Sequence, residues 1–340
     1  MAIILESKSI YYNDVNLIAK AAKVNSRSEI QRELNRVFVS PMSSVIGKTF
    51  ALEANRLGLG LLLHRFCSAQ EEAQLFDSIP NKDNVFCSIG LNDWDRAQTL
   101  KEAGCKNWLI DIANGYIPNI SSSINRLKSI KGIEINKVMC GNIHTSKGFN
   151  SLSDSMDLGI GVESYIRVNI AGGAACATSD STGVNRGQIT ELIECSENRY
   201  TPVSKRSLFS ASNFTRVCAD GGIKNGNYAA KAFGAGADFI LMGGYFARAK
   251  EAETHVNGDG SYWGGASFKQ AELYSKVARK HSEGKVFSID EKEIKPLSTL
   301  VEELWGGLSS AVSYCGARSL TDFIGSGVFE IKQNSLPPKR

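Results

Sequence analysis

Cys176 stands in a loop of small residues, Ala171-Gly172-Gly173-Ala174-Ala175-Cys176-Ala177-Thr178, directly after the apolar run Tyr165-Ile166-Arg167-Val168-Asn169-Ile170. Residues without bulk allow close backbone approach and unusual dihedral angles, so a ligand can reach a thiol placed there. The chemistry on offer is nucleophilic attack by a thiolate. A buried structural thiol is the competing reading, because free cysteine is among the most buried residue types.

Paired glycines supply the second chemical signal. Asp220-Gly221-Gly222 and Gly243-Gly244 each close an apolar run. Glycines at such strand ends expose backbone N–H groups and favour an anion, which predicts a phosphorylated ligand; the plainer alternative is a pair of tight turns. Asp220 reads either as a helix cap or as a ligand contact at a strand end. Further polar residues follow other runs: His64-Arg65, Asp111 with Asn114, and Asn142 with His144. Converging on one rim, they would make a polar pocket.

A scaffold must bring these positions together. Eight short apolar runs alternate with amphipathic segments: Val37–Val39, Gly60–Leu63, Val85–Ile89, Trp108–Ile110, Lys137–Cys140, Tyr165–Ile170, Thr215–Ala219 and Asp238–Met242. Each is too short for a buried helix and too uniformly apolar for a half-exposed strand, as expected of parallel strands covered on both faces. Between them, Ser68-x-x-Glu71 is a capping-box pattern opening a helix to Ile79, Asp93 to Ala103 ends in Gly104, and Asn225 to Phe233 ends in Gly234. Eight βα units predict an α/β fold, a (β/α)₈ TIM barrel, with a doubly wound open sheet as the lesser alternative. The alternation breaks after the sixth run, where the Cys176 loop lies, and after the eighth, from about Ala249 to Glu293. Both insertions are expected at the C-terminal face, where this fold builds its chemistry.

Bulk properties narrow the field. The 340 residues carry 39 basic and 35 acidic side chains, a net charge of +4. No block of five like charges appears, which speaks against nucleic acid and membrane surfaces as partners. The eight cysteines show no Cys-x-x-Cys spacing, so neither a zinc site nor a disulfide framework is indicated. No apolar stretch approaches the length of a membrane span, and the first nine residues lack the basic start of a signal peptide, so a cytoplasmic location is expected. With no linker or repeat, the expectation is one domain over 1–340, with its core at about 12–332 and a disordered tail at 333–340.

Taken together, Asp111-Ile112-Ala113-Asn114-Gly115-Tyr116, Gly141-Asn142, the Cys176 loop with Thr178, Asp220-Gly221-Gly222, Ala230 to Gly244 and Ser282-Glu283-Gly284-Lys285 resemble the GMP reductases, which belong with the IMP dehydrogenases. The likeness runs from about Tyr12 to about Lys332. His64 to Val85 leaves no room for the regulatory insertion usual in the dehydrogenases. Ser282-Glu283-Gly284 stands where their flap carries an Arg-Tyr pair. The resemblance therefore implies NADPH-dependent reductive deamination of GMP to IMP and ammonia in purine nucleotide salvage, through a thioimidate on Cys176. Thr178 and Glu283 would carry the proton.

The same resemblance implies further roles. Asp220 would bind the ribose, and Gly221, Gly222, Gly243 and Gly244 the phosphate. Gly264, Gly265, Lys280 and Ser282 would lie near the base. NADPH would meet Ser26, Arg27, Arg65, Asp111, Ile112 and Ala113, with Ser310, Ala311, Val312 and Ser313 lent by a neighbouring subunit of a homotetramer. A monovalent cation such as potassium would sit on the carbonyls of Gly173 and Cys176.

The chain departs from the family at ligand positions. Ala174 replaces a serine, Gly264-Gly265-Ala266 replaces Gly-Met-Ser, and Lys280 replaces an arginine. Loss of the serine hydroxyl would remove a phosphate contact worth roughly 1.5 to 3 kcal/mol. Arg and Lys are not equivalent at a planar contact. The choice of purine nucleotide, modified ones included, thus stays open, as do IMP dehydrogenase chemistry and a non-catalytic purine-nucleotide binder.

Overall fold

The computed structural model describes residues 8–156, 158–159, 161–173, 176–198, 215–274 and 284–332. Eight parallel strands close into a barrel: β1 (Val37–Val39), β2 (Gly60–Leu62), β3 (Val85–Ile89), β4 (Asn107–Asp111), β5 (Lys137–Ile143), β6 (Glu163–Val168), β7 (Arg216–Asp220) and β8 (Phe239–Met242). Val37 pairs with Ile240 and Val39 with Met242, so β1 meets β8 and the open-sheet alternative falls away.

Both faces of these strands are buried, which is why their sequences are apolar throughout. Phe38, Leu62, Phe86, Leu109, Met139, Tyr165, Cys218 and Leu241, one from each strand, fill the barrel interior. Phe38 and Phe86 meet edge to face with ring centroids 5.6 Å apart, and Phe86 meets Tyr165 in the same way. The alternate residues, among them Val37, Val39, Ile110, Ile166 and Ile240, point outward into a second core under the helices.

The barrel helices are α1 (Lys48–Arg56), α2 (Ala69–Ser78), α3 (Trp94–Glu102), α4 (Ile120–Lys128), α5 (Ser146–Ser155), α6 (Gln188–Asn198), α7 (Gly226–Gly234) and α8 (Leu297–Tyr314). At the start of α2 the Ser68 hydroxyl accepts from the Glu71 N–H, and the Glu71 carboxylate accepts from the Ser68 N–H at 2.7 Å, the reciprocal capping that the sequence pattern predicts.

Three differences from expectation bear on the site. β6 stops at Val168, not Ile170, because Asn169 (φ 111°) and Ala171 (φ 71°) take left-handed backbone that ends the ladder. β5 runs past Cys140 to Ile143, with a register irregularity between Gly141 and Ile143. The excursion after β8 contains an antiparallel pair, Ser261–Trp263 with Val286–Ser288, that no hairpin turn announces. A second pair, Val15–Leu17 with Phe329–Ile331, ties the two ends of the described chain together. The tail expected at 333–340 lies outside the described residues.

Candidate active site

The C-terminal ends of the strands surround a cavity of about 500 Å³. Cys176, Thr178, Asp220, both glycine pairs, Gly264, Gly265, Ala113 and Gly173 all line it. Residues from distant stretches of sequence thus converge on one rim.

Cys176 is placed by backbone contacts on two sides. Its N–H donates to the Gly173 carbonyl at 3.0 Å, closing the loop beneath it. It also forms an isolated antiparallel bridge with Gly284, across from the excursion after β8. An ion pair of 2.5 Å between Lys285 and Asp180 fastens the same two segments one step further along. The thiol lies 3.1 Å from the Thr178 hydroxyl, at the start of the one-turn helix Thr178–Thr182. Cys176 is half-buried, whereas Cys87, Cys105, Cys140, Cys195, Cys218 and Cys315 are buried. Burial pushes the Cys140 thiol up to about 12, and that of half-buried Cys67 up to about 11, so those thiols stay protonated at neutral pH. Glu283, Ser282, Lys280 and Ala174 lie outside the described residues.

Asp220 closes β7 beside Arg167 of β6. The Arg167 guanidinium donates to Asp220 Oδ2 from Nε at 2.9 Å, and its Nη1 reaches Asp111 Oδ1 at 2.6 Å. Asn142 Nδ2 adds a third bond, 2.8 Å to the same Asp220 oxygen. The Arg167 and Asn142 donors to Asp220 both reach Oδ2, which leaves Oδ1 for a ligand hydroxyl. Burial works against charge on Asp111, but Arg167 and Arg65 outweigh it and hold the carboxyl below its ordinary value. On Arg167 burial is likewise the largest influence and disfavours charge, yet the two carboxylates raise its pKa. Arg167 escaped the sequence reading. Its signal was a lone cation inside a strand otherwise buried on both faces.

The glycines are required by contact. A Cβ on Gly221 (φ 88°) would lie 2.8 Å from the Gly173 nitrogen, and one on Gly222 (φ 76°) 3.1 Å from the Gly172 oxygen. The turn after β7 therefore packs directly on the Cys176 loop. The N–H groups of Gly221, Gly222, Gly243 and Gly244 donate to no acceptor among the described residues. These four glycines are half-buried and line the cavity, so their N–H groups suit an anion there. At Gly265 a Cβ would fall 2.5 Å from the Phe66 ring, which occupies the space a larger side chain would take.

The family model for the IMP dehydrogenase / GMP reductase domain matches residues 9–335. The chain belongs to this family. The GMP reductase of Caenorhabditis elegans is 27% identical over 346 residues, covering 94% of this chain and 90% of that protein. That of Streptococcus gordonii is 28% identical and covers 91% of each chain. The IMP dehydrogenase of Tritrichomonas foetus is 33% identical over 197 residues, 56% of this chain and 37% of that protein.

The residues that the family resemblance points to for a cofactor fall into two groups. Ala113 reaches the cavity wall shared with Cys176. Arg65 lies behind it, 3.5 Å from Asp111, with a buried Nε that makes no hydrogen bond. Asp111, Ile112 and Arg65 do not themselves line the cavity. Ser26, Arg27 and Ser310 to Ser313 do not line the cavity; Arg27 Nη1 instead donates to Ser310 Oγ at 3.0 Å within the same chain. Val312 and Ser313 face the core of their own chain, because helical periodicity turns Leu308 and Val312 inward together. Of the four, only Ser310 and Ala311 are half-exposed. The Gly173 carbonyl expected at a monovalent cation accepts the Cys176 N–H at 3.0 Å. No helix among the described residues is long and apolar enough to cross a membrane.

Proposed function

We propose that this protein is an NADPH-dependent GMP reductase. The observation that carries the reading is a half-buried thiol, 3.1 Å from a threonine hydroxyl, in a cavity also lined by Asp220 and by four glycines whose N–H groups find no acceptor among the described residues. Full-length likeness to curated GMP reductases supports the same reaction.

In this reading the glycine N–H groups bind the 5′-phosphate and Asp220 Oδ1 accepts from a ribose hydroxyl, which places the purine C2 against Cys176. The thiolate adds to C2, forming the S–C bond. Thr178, supplied by Glu283, delivers a proton to the exocyclic amine, the C–N bond breaks and ammonia leaves. Gly284, the residue after Glu283 in the sequence, is bridged to Cys176 and lines the cavity. When bound, a nicotinamide cofactor would supply hydride for C2; Cys176 would then leave as thiolate when the S–C bond breaks, releasing IMP. A thiolate suits both halves because it is a strong nucleophile and a good leaving group.

The test is oxidation of NADPH on adding GMP, with one ammonia and one IMP formed per turnover. Cys176→Ala should abolish turnover while leaving GMP binding intact. A panel of dGMP, IMP and 2-aminoadenine nucleotides with both reduced cofactors would settle preference, and IMP with NAD⁺ would reveal dehydrogenase activity. No reduction of any 2-aminopurine nucleotide by the wild-type protein would defeat the reading.

A further inference from the structure

We infer that Arg248 is a specificity-determining ligand for the substrate's 5′-phosphate; this rests on the nucleotide reading above and adds a side-chain cation to its glycine cradle. After Gly243-Gly244 the chain turns back through the short 3₁₀ helix Phe246–Arg248, with the Ala247 N–H donating to the Gly243 carbonyl at 3.0 Å. The turn brings Arg248 to the lining of the cavity that holds Gly221, Gly222, Gly243 and Gly244.

The guanidinium is held in place. It lies 4.6 Å from the ring centroid of Tyr245, and its Nε donates to the Tyr245 carbonyl at 3.3 Å. Tyr245 is itself buried and anchored by its hydroxyl, which donates to the Leu300 carbonyl at 2.7 Å. Both terminal nitrogens of Arg248 remain without an acceptor among the described residues. Glu293 lines the same cavity but is exposed and makes no ion pair with Arg248. A preoriented guanidinium, packed on the Tyr245 ring and lining the same cavity as four glycine N–H groups that find no acceptor among the described residues, matches a phosphomonoester, whose oxygens take paired N–H donors at short range. The chain has Ala174 where a serine hydroxyl would add a phosphate contact, and Arg248 offers a stronger donor.

The experiment is equilibrium titration of the full chain, wild type and Arg248→Gln, with GMP and with guanosine, without cofactor or turnover. Thermal melting of each variant checks folding, and Arg248→Lys serves as a second variant that keeps the charge. GMP affinity should fall about 10- to 100-fold in Arg248→Gln, with guanosine affinity unchanged and Arg248→Lys in between. Equal GMP affinity in wild type and Arg248→Gln overturns the assignment of Arg248 alone. An equal loss for GMP and guanosine also overturns it, since the residue would then act through packing. Wild-type protein that binds no purine nucleotide overturns the assignment together with the reading on which it rests.

Discussion

Gly284 and Cys176 face each other across a two-residue antiparallel bridge, and Gly284 is packed so closely that a Cβ there would lie 2.4 Å from the Ser267 nitrogen. The segment that follows Glu283 is thus pinned between the nucleophile loop and the backbone of the excursion after β8. Gly284→Ala must displace that segment, since backbone cannot yield as a side chain tip does. The expected outcome is a fall in kcat of at least about 100-fold, the scale of a small misplacement of catalytic groups, with Tm nearly unchanged. Steady-state kinetics alongside thermal melting check it; wild-type kcat in the variant would show that the bridge does not position the chemistry.

Arg167 neutralises two carboxylates at once, Asp111 on one side and Asp220 on the other. Arg167→Met keeps the volume and removes the charge, leaving both acids beside each other in a water-poor wall. A loss of about 3 to 5 kcal/mol in unfolding free energy is expected, the range for breaking a buried ion pair from one side. Arg167→Lys should recover part of it, because a single ammonium cannot match the two-sided geometry. Urea denaturation of both variants gives the comparison, and a loss under 1 kcal/mol in Arg167→Met would mean the carboxylates are better solvated than their burial indicates.

All eight barrel strands were legible because burial on both faces leaves an unbroken apolar run, whereas a half-exposed strand would not. Glycines at the ends of β7 and β8 were legible for a similar reason, since they stand beside such runs. What escaped depends on partners far away in sequence. Arg167 makes sense only once Asp111 and Asp220 flank it, and Arg248 only once the 3₁₀ turn brings it to the cavity lining. Ser261–Trp263 pairs with Val286–Ser288 across more than twenty residues, and no local turn chemistry announces such a ladder. Within Ser310 to Ser313, Val312 and Ser313 turn into the core while Ser310 and Ala311 stay half-exposed, a split set by helix periodicity and not by residue type.

Gly265 and Phe66 form a complementary pair, one lacking the side chain whose space the other fills. Gly265→Met alone should overpack this contact and cost about 1 to 3 kcal/mol. Removing the ring in the same chain, as Phe66→Ala with Gly265→Met, should restore most of the stability lost by Gly265→Met. The double-variant cycle measures this coupling by denaturation. Strict additivity of the two substitutions would show that the ring and the glycine are independent.

Glu191 in α6 is fully buried, and neither carboxyl oxygen has a hydrogen-bond partner. Burial is the dominant influence and pushes its pKa up to about 9, with Glu194 adding to the rise and Arg186 opposing it. Tyr12 and Cys195 pack close enough for Glu191 to raise their own values. In the folded protein Glu191 therefore keeps its proton at neutral pH, whereas the unfolded chain releases it above its ordinary value of 4.5. Between those two values the native state binds more protons than the unfolded state, so its contribution is full below pH 4.5 and declines as pH rises toward 9. Glu191→Gln removes the titration and retains the shape. The variant should match wild type near pH 5 and exceed it at pH 8.5 by an amount on the order of a few kcal/mol. Urea unfolding at the two pH values gives the slope directly, and parallel pH dependence of wild type and Glu191→Gln would show that the carboxyl finds water or a partner in its pocket.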